Sequence, residues 1–498
     1  MCVGRDCGVW RRVPSVLRTS QEDEYATPHR SFSIMGRAYP IQPQDVEFIE
    51  TEHRTIKTRI PHPDTTALLE SLRRTEPICM EGQPAILWDR AENATVFDAY
   101  GNKWIDFTSG VLITNAGHGR KEMRDAVAQT AQHGLLTTYC FPHTQRVELT
   151  RALQQVAPRK TDKVMLLSTG SEATELCIKL AREHARAAGR TPSVFVTFVN
   201  AFHGRTLGSQ LAGGIPSLKQ WIGYEDTHFL QIPFPDGGVR SKPEDNDFAA
   251  FEKAIADAGV NPDDVCGVMT ETYQGGNSSF APPQYMQQLR AWCDKHDALL
   301  IMDEVQAGFG RTGKFWGFEH YDIKPDLIAC GKGISGSLPL SAVIGRQDIL
   351  DSFGPGSMTS THSGNPICAA AALASLKLIL KENLADRSAK LGVFLQQRCV
   401  EIQKKFSDVL LAAHGKGLVA SLHCVKPGET EPDPDLAWEV CGECVKAGLM
   451  MFGPVGFGGA SIKICPPLVI EEDALREGLD VLETAIERVI AARTAKSA

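Results

Sequence analysis

The sequence predicts an α/β fold built on a largely parallel sheet, and three observations carry that reading. Short apolar runs alternate with helical patterns through the middle of the chain, the order expected of a right-handed βαβ series. The runs are continuously apolar, which marks strands covered on both faces. Each run stops at a polar or glycine-rich cluster, the edge where open α/β sheets collect ligands.

Residues 1–60 carry little periodic signal. Arg5, Arg11, Arg12 and Arg18 would suit a targeting leader, but Asp6, the run Glu22-Asp23-Glu24 and the lack of an amphipathic pattern favour a flexible or docking extension. From Ala85 to Phe107 strand-like pieces alternate with turns, and Asp98-Ala99-Tyr100-Gly101-Asn102 reads as a hairpin. Ser109-Gly110-Val111 then leads to Asn115-Ala116-Gly117-His118-Gly119 and a helix from about Lys121, so 61–135 reads as the N-terminal part of a smaller domain.

A larger domain is expected over 136–380. Lys163–Leu167 is a buried strand that breaks at Ser168-Thr169-Gly170-Ser171 before a helix from Glu172 to about Ala187. The free N–H groups and positive dipole end of such a helix suit a phosphate, although a plain N-cap accounts for Ser and Thr equally well. Ser193–Val199 ends at Ala201-Phe202-His203-Gly204-Arg205-Thr206, where Phe202 can stack on a ring and Arg205 can take a carboxylate; core packing and a surface ion pair are the plainer alternatives. Val265–Thr270 ends in Glu271, and the glycine-rich Gln274-Gly275-Gly276-Asn277 follows. A helix over Ala369–Lys381 leads into 381–498, the C-terminal part of the smaller domain, with strands at Leu418–Val425 and Ser461–Ile464 and a closing helix over 472–493.

The centre of the chemistry is the stretch 298–333. Ala298–Met302 delivers Asp303 and Glu304 to the sheet edge, and Leu327–Cys330 delivers Gly331, Lys332 and Gly333. A lysine flanked by glycines leaves room for a planar ring, and pyridoxal phosphate needs a Schiff-base lysine and an acid for its pyridine nitrogen. Lys332 and Asp303 form that pair. The glycines at 308, 310 and 313 fit a dinucleotide pattern, but Phe315, Trp316 and Phe318 follow where a helix should open. The same stretch fails as a P-loop, because Phe315 stands where Ser or Thr must reach a metal.

A net charge of −8 gives no electrostatic reason to expect nucleic acid or an anionic membrane as partner, and no apolar run approaches a membrane span. Fourteen cysteines scattered through strand-like and helix-like runs point to a reducing, cytoplasmic setting. Cys441 and Cys444 form one C-x-x-C in a helical pattern with no second pair at zinc spacing, so buried thiols are expected there and no metal.

Taken together, these residues resemble the class III pyridoxal-phosphate aminotransferases, which include the 4-aminobutyrate, ornithine and acetylornithine enzymes. The likeness runs from about 80 to 490 through Gly170-Ser171-Glu172-Ala173, Phe202-His203-Gly204-Arg205-Thr206, Asp303-Glu304-Val305-Gln306, Gly331-Lys332-Gly333, Thr361 through Gly364-Asn365-Pro366, and Pro466-Pro467-Leu468. The resemblance implies a type I fold for pyridoxal-phosphate enzymes: a large domain with a mostly parallel seven-stranded sheet flanked by helices, and a smaller α+β domain from both chain ends. It implies that Lys332 holds pyridoxal 5'-phosphate as a Schiff base and that Asp303 pairs with the pyridine nitrogen. Gly170 and Ser171 would bind the phosphate, Phe202 and Val305 would sandwich the ring, Gln306 would lie near its phenolic oxygen, and His203 and Glu271 would complete the cofactor site. Thr361 would reach the phosphate of a neighbouring subunit, so the expected assembly is a homodimer with shared active sites.

The same resemblance places Val111, Arg205 and Lys463 at the substrate. Arg205 matches the arginine that binds a carboxylate remote from the reacting amine, and Val111 matches a small aliphatic wall. The family's α-carboxylate arginine is replaced by Lys463, and the glutamate that shields that arginine by Gly276. Lysine offers a point charge in place of a planar fork, so the expected substrates are an amine or ω-amino acid donor and a 2-oxo acid, with pyruvate or a non-acidic amine favoured over the usual glutamate and 2-oxoglutarate pairing. The alternatives are another reaction on the same scaffold, a decarboxylase, racemase, epimerase or lyase, and a non-catalytic binding protein that retains the fold.

Overall fold

The computed structural model describes residues 37–497 except Pro192 and Gly238. Its centre is a seven-stranded sheet made of Lys163–Leu167 (β1), Val194–Phe198 (β2), Phe229–Ile232 (β3), Val265–Glu271 (β4), Leu299–Asp303 (β5), Leu327–Cys330 (β6) and Ser341–Gly345 (β7). The spatial order is β1-β7-β6-β5-β4-β2-β3. All pairs are parallel except those made by β7, which runs against both β6 and β1. The mostly parallel seven-stranded sheet is therefore present, and its single reversed strand was not anticipated.

Every residue of β4, β5, β6 and β7 is buried, as continuous apolar runs require of strands covered on both faces. On one face lies the helix Gly170–Ala187 (α1), whose Ala173, Leu176, Cys177, Leu180 and Ala181 are buried. Gly267 in β4 permits that approach, since a Cβ there would stand 3.1 Å from the Ala181 methyl.

Two further sheets tie the chain ends together. Thr95–Phe97 and Lys103–Asp106 form the expected hairpin, with Val96 opposite Trp104. Leu449–Met450 adds in parallel to Lys103–Asp106, so a C-terminal segment completes an N-terminal sheet. Residues 1–36 of the expected extension lie outside the described residues. Within 37–60, Ile49–Glu50 and Thr55–Ile56 join this sheet and Ile56 and Ile60 are core residues, so this part is folded in place and not a free extension. The second sheet is antiparallel: Leu410–Lys416 (β8), Val419–Cys424 (β9) and Ser461–Ile464 (β10), followed by the long helix Glu472–Ser497.

Cys441 and Cys444 are buried and unpaired, and the twelve described cysteines are all free thiols. Among the described residues no helix is long and apolar enough to cross a membrane.

Glu304, one residue past β5, is fully buried and holds the following loop to the sheet. Its carboxylate accepts from the Gly317 N–H at 2.7 Å, the Phe318 N–H at 3.0 Å and the Thr272 hydroxyl. Burial pushes its pKa up to about 7 against the pull of those three donors. Replacing Glu304 by Ala leaves all three donors buried without an acceptor; we expect a loss of about 3 kcal/mol in urea denaturation of the cofactor-free protein, and a loss below about 1 kcal/mol would contradict this assignment.

Candidate active site

The register of the central sheet assembles the site. Asp303, last residue of β5, pairs directly with Glu271, last residue of β4, and with Ala329 of β6, three residues before Lys332. Two carboxylates and an amine therefore reach the carboxyl edge of three adjacent strands. Lys332 itself has φ of 44°, a left-handed conformation that costs energy in any residue with a Cβ and that clusters at functional positions.

Each carboxylate also fixes a neighbouring wall. Asp303 Oδ2 accepts from His203 Nδ1 at 2.8 Å, and its Oδ1 accepts from the Val305 N–H at 3.0 Å. Glu271 accepts from the Phe202 N–H at 3.1 Å through Oε2 and from the Gly275 N–H at 3.0 Å through Oε1. Phe202 and Val305, both half-buried, are thus held by the acids that lie between them in the sheet. Burial, reinforced by the Asp303 charge, pushes the Glu271 carboxyl up to about 7, with His203 and the two N–H donors opposing. Burial lowers the pKa of the Lys332 amine, and the Asp303 and Glu271 charges oppose that shift.

Thr169 caps α1 in a reciprocal box with Glu172: its hydroxyl takes the Glu172 N–H at 3.2 Å, and the Glu172 carboxylate takes the Thr169 N–H at 3.0 Å. The plain N-cap role belongs to Thr169, which leaves the N–H groups of Gly170 and Ser171 without an acceptor among the described residues. Ser171 Oγ accepts from the Arg205 N–H at 3.2 Å, joining the helix start to the turn after β2. A Cβ on Gly170 would lie 3.1 Å from a Val305 methyl, so the glycine keeps the space beside the helix start open.

The substrate-side residues fall into two groups. Arg205 is exposed, forms no ion pair among the described residues, and stands 5.7 Å from the Phe202 ring centroid. Lys463, on β10, is buried and donates to Gln306 Oε1 at 2.8 Å and to the Gly275 carbonyl. Gln306 is therefore tied to Lys463. Val111 is exposed in an unusual left-handed turn, and Thr361 lies in an exposed turn with no hydrogen bond among the described residues. Its neighbour Ser360 donates to Glu172 in the first turn of α1 at 3.2 Å.

Three participants were not recognised in the sequence. Tyr273 lies beneath Lys463, whose amine is 5.3 Å from the ring centroid. Gly456 packs so tightly on Gly276 that a Cβ at 276 would come within 2.6 Å of its Cα. Arg311, read only as part of a false dinucleotide pattern, is a fully buried cation. The one available signal was the glycine density of 452–459, which marks close backbone approach.

A lysine amine and an aspartate at adjacent strand ends, facing a helix N-terminus across a mostly parallel seven-stranded sheet, define an enzyme of pyridoxal-phosphate fold type I. The donor set fits that cofactor: helix N–H groups without an acceptor among the described residues and the Gly170 cradle for a phosphate, a carboxylate with lone pairs to spare for a ring nitrogen, and an amine whose pKa burial lowers.

Residues 79–486 match the family described as Aminotransferase class-III. The isoleucine 2-epimerase of Lentilactobacillus buchneri is 33% identical over 417 residues, covering 80% of this chain and 90% of that protein. The 4-aminobutyrate aminotransferase of Escherichia coli (strain K12) is 32% identical over 411 residues, covering 81% and 93%. A crystal structure of a Bacillus anthracis aminotransferase superposes with a TM-score of 0.77 at 29% identity, covering 85% of this chain and 99% of that one. The chain belongs to the class III aminotransferases, which are pyridoxal-phosphate-dependent enzymes.

Burial lowers the Lys463 amine to about 8, with Lys332 and Arg311 adding to the effect and Cys465 and Glu271 opposing it. Below that value Lys463 is a cation; above it the charge is lost. The KM of a substrate whose carboxylate binds Lys463 should therefore rise above about pH 8, by about tenfold per unit at the limit, while an amine without a carboxylate shows no such rise. Initial rates across pH 7 to 10 check this, and Lys463→Arg should carry the rise out of that range. Identical profiles for the two kinds of donor would refute it.

Proposed function

We propose that this enzyme moves an amino group from an amine or ω-amino acid of the 4-aminobutyrate kind to a 2-oxo acid, either pyruvate or 2-oxoglutarate, in two half-reactions. The observation that carries the reading is a pair of cations that form no salt bridge among the described residues: Arg205, exposed beside Phe202, and Lys463, buried beside Gln306. One anchor suits a carboxylate remote from the amine, the other the carboxylate next to the reacting carbon. The relative named as a 4-aminobutyrate aminotransferase supports the donor class.

When bound, pyridoxal phosphate supplies an electron sink that acidifies the C–H bond of the substrate. The chain's residues do the rest. Asp303, oriented by His203 and the Val305 N–H, would present its carboxylate to the ring nitrogen. Gly170 and Ser171 at the α1 N-terminus would hold the phosphate, and Phe202 and Val305 would confine the ring. Lys332 Nζ would hold the cofactor and, once free, would carry the proton taken from the substrate carbon. Glu271, near neutrality in pKa, keeps Phe202 and Gly275 in place through its two N–H bonds.

Gly276 decides a point of specificity. With a Cβ excluded by the Gly456 backbone, no carboxylate side chain fits at 276 to neutralise Lys463. Lys463 is held by two neutral acceptors and stays available to monocarboxylates in both half-reactions, which supports pyruvate as acceptor. Thr361, exposed in its turn, suits contact with a second copy and a homodimer with shared sites. The buried free thiols support a cytoplasmic setting.

Inversion at the substrate carbon is the second reading, favoured by the relative named isoleucine 2-epimerase. Amine donor alone, mixed with loaded enzyme, distinguishes the two. Transamination yields one equivalent of oxo product per active site and then stops until a 2-oxo acid is added. Continuous inversion of one enantiomer without oxo product would replace this proposal with the second reading, and no reaction with any amine or α-amino acid would favour a binding protein.

A further inference from the structure

Four consecutive residues, Ser109, Gly110, Val111 and Leu112, have φ of 50°, 57°, 66° and 60°. Left-handed turns of that length are disfavoured for L-residues, and a β-branched valine there is a conformational outlier. Such backbone persists only where its surroundings over-determine it. The turn closes on itself through Leu112 N–H to Thr108 O at 2.9 Å and Ile113 N–H to Ser109 O at 2.8 Å. Its start is bolted to the opposite end of the chain, since Ser109 Oγ donates to Cys465 O at 2.7 Å.

Arg311 supplies the second bolt. Its Nη2 donates to Ser109 Oγ at 3.1 Å and to Asn115 Oδ1 at 2.7 Å; its Nη1 donates to Pro466 O at 2.5 Å and Leu418 O at 3.0 Å. None of these acceptors is a carboxylate, and burial pushes the pKa of the guanidinium down. A buried cation among neutral acceptors is a poor source of stability, so its value lies in what it aligns. It spans the turn that carries Val111, the strand end that carries Lys463, and its own loop eight residues after Asp303.

We propose that Arg311 is a positioning residue for the substrate pocket, pinning the left-handed turn Ser109–Leu112 to Cys465–Pro466 and so setting the separation of Val111 from Lys463 and the size of donor admitted. This rests on the reading that Val111 and Lys463 line the pocket. The hydrogen bonds of Arg311 go to neither residue, and the effect is transmitted through Ser109 and the 465–466 backbone.

Arg311→Lys tests it, because one ammonium cannot span four acceptors in a planar fork. The expected result is a KM for a short ω-amino acid raised about tenfold with kcat within about twofold, a smaller rise for a longer donor, and faster amide exchange across 107–115 in cofactor-free as well as loaded protein. Ser109→Ala removes one hydroxyl and should give the same split in milder form, which keeps the test available if Arg311→Lys does not fold. A shift in donor preference from Val111→Ala with none from Arg311→Lys or Ser109→Ala overturns the positioning role. Faster exchange in Arg311→Lys with every KM unchanged in Val111→Ala shows instead that Val111 is not a pocket wall, and the failure then lies in the reading of the pocket. An equal fall in kcat for all donors at constant KM marks a purely structural arginine and also overturns the proposal.

Discussion

The site depends on one juxtaposition: an amine taken out of water beside two carboxylates at the edge of a fully buried sheet. Desolvation favours neutral Lys332, and Asp303 and Glu271 restrain that effect by favouring its charged form. The balance exists only because β4, β5 and β6 are in register, with Asp303 level with Glu271 and Lys332 just beyond Ala329 and Cys330. A shift of one residue in β5 would turn Asp303 to the opposite face and leave the amine without it. The same carboxylates hold the backbone of Phe202, Val305 and Gly275, so charge and shape at this site share one set of bonds.

The chain's C-terminal portion closes what the central sheet opens. Lys463 reaches back to Gly275 and Gln306, Gly456 packs against Gly276, and Asn277 Oδ1 accepts from the Phe457 N–H at 2.9 Å and from Ser461 Oγ at 3.0 Å. On the other side Ser109 and Arg311 grip the backbone at 465 and 466. Contacts from segments far apart in sequence thereby meet at the edge of the large sheet.

The strand ends of the large sheet were legible in the sequence because each run obeys a local rule. Continuous apolar runs marked β1, β4, β5 and β6 to within a residue, and Asp303, Lys332 and Gly170-Ser171 followed as the residues where those runs end. The strand β7 escaped because a short apolar run carries no information about direction, and β3 because its Gln231 interrupts the pattern. Arg311 was hidden for a different reason: its surroundings gather from residues 109, 115, 418 and 466, a coincidence no local window contains. The glycines flanking it owe their presence to packing: a Cβ on Gly308 would stand 3.0 Å from the Trp316 ring, and Gly310 and Gly313 have φ near 90°.

The Schiff base proposed at the Lys332 amine is the feature on which the rest depends. Reduction of the loaded enzyme with borohydride, followed by digestion and mass spectrometry, tests it directly. The account predicts a single stable pyridoxyl adduct on the peptide containing Lys332, formed in near-unit yield and abolished when substrate amine has first displaced that lysine. An adduct on Lys463 or any other lysine, or none at all, would contradict it.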